Sequence, residues 1–317
     1  MRAVVCSGYG PPDRLRIREV DQPRPGDGEV LVRVQATTVN RTDAATLRGK
    51  PRLARIATGL IRPRQPVMGT EFAGVVEDTA AGVTEFSAGD AVFGFHAGAQ
   101  AEYLTMPASG PLARIPAGMA ACEAAPTTEG AHYALSCLET VEVGASDHVL
   151  VYGATGAIGS AAVQLLKHRD VTVTAVCDAR GIDLVTSLGA DVVIDYTAED
   201  FTQTHERFDV VLDAVGKSRF VRCRALLKPG GAFLTTDLGP RAENLPLIVA
   251  TRWIGDHRVR LPFPTDARAH VRLVRELLAS KDLRPVVDRT YTLDDIVDAY
   301  HYVETEQKLG TVVITVT

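Results

Sequence analysis

Seven residues, Gly153-Ala154-Thr155-Gly156-Ala157-Ile158-Gly159, carry the clearest chemical signal in this chain. Three evenly spaced glycines stand between a short apolar run, 148–152, and a run of helical spacing, 157–168. The first glycine permits a sharp turn, the second lets the backbone approach a pyrophosphate, and the third lets the helix lie close on the strand. A helix beginning there points free N–H groups and a partial positive charge at the phosphates. Strand, glycines and helix in this order make a dinucleotide-binding turn, with mere tight packing the weaker alternative. An acid about twenty residues beyond such glycines takes the ribose 2′-hydroxyl of NAD, whereas an arginine there accommodates the 2′-phosphate of NADP. The chain has both, Asp178 and Arg180, so both cofactors stay open. Asp178 either faces the ribose, turns to solvent or caps a helix near Gly181. Arg180 is either a phosphate ligand or a solvated charge at a helix start.

Other reactive residue types are present without a convincing pattern. Cysteines at positions 6, 122, 137, 177 and 223 lack zinc-knuckle spacing, and their odd number argues against a disulfide framework. They are expected to be small buried hydrophobes. His96 reads as a surface-loop histidine, and His132 as a core histidine on a helix, in preference to general acids. Arg41 and the arginines at 52, 55, 62 and 64 form a solvated basic face or attract an anionic acceptor. The net charge of −5 gives no case for nucleic-acid or anionic-membrane binding. Apolar runs fall short of the ~18 residues of a membrane span, and Met-Arg-Ala-Val-Val-Cys at the start lacks a signal-peptide core. A cytoplasmic location is expected. With 317 residues, 46% of them hydrophobic and 23% charged, the chain is globular and long enough for about two domains.

The elements that must position the glycine turn follow from the texture of the sequence. Up to residue 121 the chain alternates like antiparallel β structure, with β-rich runs at 3–6, 15–20, 30–39, 74–77 and 91–94 and a short helix at 40–48. The stretch 49–66, rich in Arg and Pro, reads as a surface flap. From residue 122 a helical run to 138 leads into strand–helix alternation: strands at 148–152, 171–176, 192–194, 209–213 and 232–236, helices at 157–168, 180–188 and 217–227. That rhythm predicts an α/β, doubly wound parallel sheet of the Rossmann type. Residues 241–265 look irregular. A helix at 267–280, β-like text at 286–287, 291–292 and 312–316 and a helix at 293–303 complete the chain. The simplest arrangement inserts a dinucleotide-binding domain, 122–265, into a β-rich domain made of 1–121 and 266–317.

Several segments, in this order, resemble the medium-chain dehydrogenase/reductase superfamily. Besides the glycine turn they are Gly69-Thr70-Glu71-Phe72-Ala73-Gly74-Val75-Val76, Phe86-Ser87-Ala88-Gly89-Asp90-Ala91-Val92-Phe93-Gly94, Leu188-Gly189-Ala190-Asp191 with Val193-Ile194-Asp195-Tyr196, and Phe208-Asp209-Val210-Val211-Leu212-Asp213-Ala214-Val215-Gly216. The resemblance is to the zinc-free quinone oxidoreductase branch. Where zinc-dependent members carry a catalytic Cys and the His of a Gly-His-Glu motif, this chain has Asn40 and Thr70, and the four-cysteine zinc lobe is missing. No zinc is therefore expected, and Glu71 is expected to be structural, paired with an arginine. The resemblance implies a GroES-like fold for the β-rich domain. It favours NADP over NAD, and it implies a homodimer pairing through edge strands near 232–236. It also places Thr127 and Thr128 at the nicotinamide end, Tyr196 near the adenosine phosphate, Ala214 and Val215 at the adenosine half, and Leu234 with the residues up to Asp237 near the nicotinamide amide.

Without a metal, an acceptor whose developing charge spreads into an enolate or hydroquinone is the easier substrate, because a hydrogen-bond donor suffices at its oxygen. Asn40 is the first candidate for that donor, against a turn-forming role. Asp43 either orients Asn40 or relays a proton, or it is an ordinary helix-start acid. The expected activity is NADPH-dependent reduction of quinones or other α,β-unsaturated carbonyls, small electrophilic molecules. An NAD-linked dehydrogenase of another substrate and a non-catalytic nucleotide-binding protein are the alternatives.

Overall fold

The computed structural model describes residues 1–51, 55–262 and 266–316. The chain divides into two compact units, Met1–Glu129 with Asp266–Thr317, and Gly130–Thr265. The first division falls inside the helix Thr128–Leu138, a little beyond the change of texture at residue 122. Arg52, one of the cluster of arginines, lies outside the described residues.

In the first unit Arg2–Cys6 and Leu15–Glu19 form a two-stranded antiparallel ribbon. The larger sheet runs in the order Val287–Thr292, Thr311–Thr315, Glu29–Val39, Glu71–Thr79, Ala91–Phe95 and Leu112–Arg114, and Tyr103–Pro107 also pairs with Glu29–Val39. Its pairings are antiparallel except between the two C-terminal strands. Glu29–Val39 shows how the sequence builds it. Arg33 and Gln35 are exposed while their neighbours are buried, the period-2 signature of a strand with one wet face. Its last four residues are buried without a break, where the segment 121–127 packs on the strand. The C-terminal return is tied in by specific contacts. Tyr300, fully buried on the helix Ile296–Glu304, donates to Gln100, whose amide donates to the Thr38 carbonyl. Arg48 makes two 2.6 Å hydrogen bonds to Glu304.

The second unit holds a six-stranded sheet in the order Val192–Asp195, Thr172–Cys177, His148–Tyr152, Phe208–Asp213, Leu227–Thr235, Arg258–Arg260, parallel throughout. Numbered within the unit, this order is 3-2-1-4-5-6, the dinucleotide-binding arrangement. The core of His148–Tyr152, Val149 to Val151, is fully buried, as expected of a strand covered on both faces.

Three expectations need correction. The helix expected at 217–227 is only Phe220–Cys223 followed by a 3-10 turn, Arg224–Leu226. The carboxylate of Asp213 accepts from the backbone N–H groups of Val215, Gly216, Lys217 and Ser218 and holds that stretch as a loop. The segment 241–265 contains a helix, Asn244–Ala250, and a strand. Pro246 lies in the first turn of that helix, where no intrahelical N–H bond is lost. Finally, Leu227–Thr235 has a strand on each side, so the edge of the sheet is Arg258–Arg260 and not the region near 232–236. Its two arginines flank the buried Val259, and charged side chains are a common guard on sheet edges.

Candidate functional site

The glycine turn takes the form its spacing requires. Gly153 has φ 78°, and Val215 packs over it so closely that a Cβ would lie 2.5 Å from the valine side chain. A Cβ on Gly159 would lie 2.2 Å from the Gly153 carbonyl oxygen and 2.8 Å from the Ala154 Cα, so only glycine lets the helix Ala157–Lys167 sit on the strand. Gly156 is different. Its φ of −73° suits any residue, and a Cβ there would meet only the Gly153 carbonyl at 3.7 Å. The fold does not need glycine at this position; a diphosphate approaching the backbone does. Gly156 is also the N-cap and supplies no side-chain acceptor to the first-turn N–H groups of Ala157, Ile158 and Gly159, which leaves them to an anion. The turn, with Ala154 and Thr155, fits a dinucleotide.

Around the turn, the second unit gathers several of the expected residues. Asp178 and Arg180 form an ion pair, Arg180 Nη2 to Asp178 Oδ2 at 2.6 Å. Asp178 makes no side-chain cap to the short 3-10 turn that follows, so the capping alternative is set aside. Its other oxygen, Oδ1, is buried without a hydrogen-bond partner. The Tyr196 N–H donates to the Cys177 carbonyl, and its ring lies 6.2 Å from that of Tyr152. The Ala214 N–H donates to the Tyr152 carbonyl, which brings the loop carrying Ala214 and Val215 beside the turn. The Leu234 side chain is fully buried in the sheet; Thr236 and Asp237, just beyond the strand end, are the more exposed positions of that segment.

In the first unit the candidates Asn40 and Asp43 belong to a larger polar cluster. Asn40 caps the helix Arg41–Arg48 in a reciprocal capping box: its Oδ1 accepts from Asp43 N–H at 2.9 Å, and Asp43 Oδ2 accepts from Asn40 N–H at 3.0 Å. The helix-start and orienting roles of Asp43 are thus one contact. The Asn40 amide nitrogen donates to Glu129 Oε2 and, at 3.2 Å, to Thr70 Oγ1. Both ends of the amide are engaged inside the protein. The expectation that Asn40 donates to a substrate oxygen is therefore revised: it holds Glu129 and Thr70.

Glu71 is buried, and among the described residues its hydrogen-bond partners are hydroxyls and a backbone N–H, not an arginine. Its Oε2 accepts from Thr38 at 2.8 Å, and its Oε1 accepts from the Thr128 hydroxyl at 2.9 Å and the Glu129 N–H at 2.6 Å. Thr128 thus turns its hydroxyl inward, and Thr127 gives its own to the Ala124 carbonyl. Burial, then the charge of Glu129, raises Glu71 to about 7. The same causes hold Asp43 well above the carboxylate range. Burial raises Glu129, and hydrogen bonds from Thr42, Thr70 and Asn40 oppose the rise. Nearby Lys308 is lowered to about 8, mainly by burial.

Glu129 and Thr70 were not among the expected site residues. The signal for Glu129 was a charged residue inside the apolar helical run 123–138, since a buried acid needs partners. Of the other candidates, burial lowers the pKa of His96, and His132 is buried. Burial pushes the thiol of Cys137 up to about 12 and those of Cys177 and Cys223 to about 11, so these are poor nucleophiles at neutral pH.

A zinc ion takes thiolate, imidazole or carboxylate ligands. Asn40 and Thr70 offer an amide and a hydroxyl already bonded to protein, and among the described residues no group of three His, Cys, Asp or Glu side chains is placed to hold a metal. The residues at this position do not fit zinc.

A family described as "Alcohol dehydrogenase GroES-like domain" matches residues 26–117, and one described as "Zinc-binding dehydrogenase" matches 188–314. A chloroplastic quinone-oxidoreductase homolog of Spinacia oleracea is 33% identical over 261 residues, covering 76% of each chain. The chain belongs to the medium-chain dehydrogenase/reductase superfamily, in its quinone-oxidoreductase-like branch. A chloroplastic NADPH-dependent alkenal/one oxidoreductase of Arabidopsis thaliana is 29% identical, covering 99% of this chain and 79% of the relative. The solved structure of a quinone oxidoreductase from Coxiella burnetii superposes with a TM-score of 0.88 at 24% identity, covering 100% of this chain and 99% of that one; it shows the shared fold. The first unit is GroES-like and the second a Rossmann sheet.

Two outcomes are expected for this medium-chain reductase fold. Gly156→Ala should unfold at the wild-type temperature yet lose most of its affinity for the dinucleotide in a fluorescence titration. Gly159→Ala should lower the unfolding temperature, with a loss of about 1–3 kcal/mol for overpacking. Stability should also depend on pH through Glu71. Its folded pKa of about 7 lies above the ordinary glutamate value of 4.5, so between those values the folded state binds more protons and stability falls as pH rises. Glu71→Gln should flatten that slope in thermal unfolding followed by circular dichroism.

Proposed function

We propose that this chain reduces quinones or other α,β-unsaturated carbonyls with NADPH, without a protein-bound metal. It is an NAD(P)H-dependent oxidoreductase of the medium-chain type, as the names of its relatives support. The observation that carries the reading is the glycine turn: a strand, an uncapped helix N-terminus and an open Gly156 in a sheet of dinucleotide-binding order. The backbone of 154–159 holds the diphosphate, and Asp178 and Arg180 meet the adenosine ribose. When bound, a reduced nicotinamide supplies hydride. In the first unit Asn40 and Asp43 act as positioning residues, holding Thr70 and Glu129 through the bonds described above.

NADPH is favoured by the NADPH dependence named for the Arabidopsis relative and by Arg180 at the position that accommodates a 2′-phosphate. NADH is the second reading, favoured by the unpartnered Oδ1 of Asp178, which suits a 2′-hydroxyl. A homodimer in the cytoplasm belongs to the same proposal. It is supported by the edge strand Arg258–Arg260 and by five cysteines that form no disulfide.

The test is loss of nicotinamide absorbance with a panel of quinones and enones. NADPH should exceed NADH at least tenfold in kcat/KM. Arg180→Ala should raise the KM for NADPH about tenfold, the order of one charge-assisted hydrogen bond, with little change for NADH. Preference for NADH would transfer the ribose role to Asp178, and tight NADPH binding with no acceptor reduced would leave a non-catalytic binding protein.

A further inference from the structure

Reduction of a conjugated carbonyl consumes a proton as well as a hydride, and the first unit contains a buried place to keep one. Glu129 lies on the first turn of the helix Thr128–Leu138, with its carboxyl directed among Asn40, Thr70 and Thr42. Thr70 Oγ1 donates to Glu129 Oε2 at 2.7 Å and accepts from the Asn40 amide at 3.2 Å. Asp43 joins the same cluster through its capping box with Asn40. Asp43, Glu71 and Glu129 are all buried, whereas Thr70 is only partly so. Thr70 is the member of the set through which a proton can pass outward.

We propose that Glu129, acting through the Thr70 hydroxyl, forms a proton relay that protonates the reduced acceptor, an inference that rests on the reductase reading above. Thr70 is the catalytic group, and Glu129 acts through it. As hydride adds to the electrophilic carbon, a new C–H bond forms and the conjugated π pair moves onto the carbonyl oxygen. The Thr70 hydroxyl gives its proton to that oxygen and takes one from the Glu129 carboxyl across the 2.7 Å contact. The acceptor gains one hydride, which carries both electrons and which a bound reduced nicotinamide would supply, and one proton; Glu129 is left as carboxylate. Water reprotonates it through Thr70 after the product leaves. A hydroxyl can reverse its bond in this way because it both donates and accepts.

The surroundings keep a proton available. The charged groups facing Glu129 are Asp43 on the helix Arg41–Arg48, Glu71 on the strand Glu71–Thr79, and Lys308 beyond the helix Ile296–Glu304. Three buried carboxylates against one half-buried ammonium leave a net negative charge in a region of low dielectric, so at least one acid stays protonated at neutral pH. Glu129 is the acid in contact with Thr70, and the donors on Glu71 are Thr38, Thr128 and the Glu129 N–H.

Two readouts test the relay. In the apoprotein, an infrared difference spectrum between neutral and alkaline pH should show the C=O stretch of a buried protonated carboxylic acid, weakened in Glu129→Gln. In the holoenzyme, wild-type kcat should fall as pH rises above neutrality and should show a solvent deuterium isotope effect. Glu129→Gln and Thr70→Val should each lower kcat about 10²-fold, the lower end for general acid catalysis, and lose the alkaline limb, with the KM for NADPH unchanged. Thr70→Ser should keep most of the rate and the pH profile. Unchanged kcat and pH profile in both Glu129→Gln and Thr70→Val would overturn the relay, as would Thr70→Ser failing as badly as Thr70→Val. Absence of the acid band in wild-type apoprotein would overturn it whether or not any acceptor is reduced. If the band is present and wild type reduces no acceptor, the reductase reading falls, and with it the relay's catalytic role.

Discussion

The buried carboxylate of Glu71 is the constraint on which the first unit turns. An ionised or half-ionised acid out of reach of water must have its lone pairs filled by protein donors. Glu71 meets this requirement with Thr38 from the strand Glu29–Val39 and with the hydroxyl of Thr128 and the N–H of Glu129 at the start of a helix. Two strands and a helix N-terminus are thereby brought to one point. The helix start is suited to this, since its N–H groups are unpaired and its dipole favours negative charge. Once Thr128 and Glu129 are held, the Glu129 side chain is committed to the space beside Asn40 and Thr70. The capping box between Asn40 and Asp43 fixes that space from the other side. Positioning here comes from satisfying buried acids, and the candidate chemistry is a consequence of the same bonds.

How much of this could be read from the chain depends on whether the determining contact is local. Gly153, Gly156 and Gly159 announce themselves because turn, approach and packing are requirements within seven residues. The alternation from residue 148 onward was legible for the same reason, each strand or helix carrying its own period. The Glu71–Thr128 and Glu129–Asn40 bonds join residues 57 and 89 positions apart, and no window of sequence contains both partners. Glu71 was thus matched in expectation to an arginine, the usual partner of a buried acid, when hydroxyls and a backbone amide do the work. Asn40 was given a donor to spare because its type was visible and its partners were not. The strand Arg258–Arg260 escaped notice because three residues are too few for a period, and its place at the edge is decided by Leu227–Thr235 beside it.

The second unit shows the opposite balance, with one local ambiguity that the fold narrows without removing. Asp178 and Arg180 sit two residues apart and pair with each other, so the charge that a 2′-phosphate would meet is partly compensated. A cofactor carrying that phosphate must compete with Asp178 for the guanidinium, whereas one carrying a hydroxyl can use Asp178 Oδ1 with the pair intact. Discrimination at such a site is a difference between two interaction free energies. It is set by how readily the ion pair opens, and Arg180 is exposed enough for solvent to weaken the pair.

Replacing thiolate and imidazole by the Asn40 amide and Thr70 hydroxyl changes what the first unit can do for a reaction. A metal stabilises an oxyanion by charge and needs no proton at that moment. A hydroxyl held by that amide stabilises by a hydrogen bond, and this suffices only when the charge on oxygen is already spread over a conjugated system. Protonation then becomes the step that makes the reduction irreversible in practice, because a delocalised enolate or hydroquinone anion otherwise returns its hydride. A site of this kind gains from an acid that keeps its proton near neutral pH, and an isolated surface glutamate does not. Crowding Asp43, Glu71 and Glu129 into one buried pocket raises all three above their ordinary range, so the electrostatic cost of burying them is also the means by which a proton is retained.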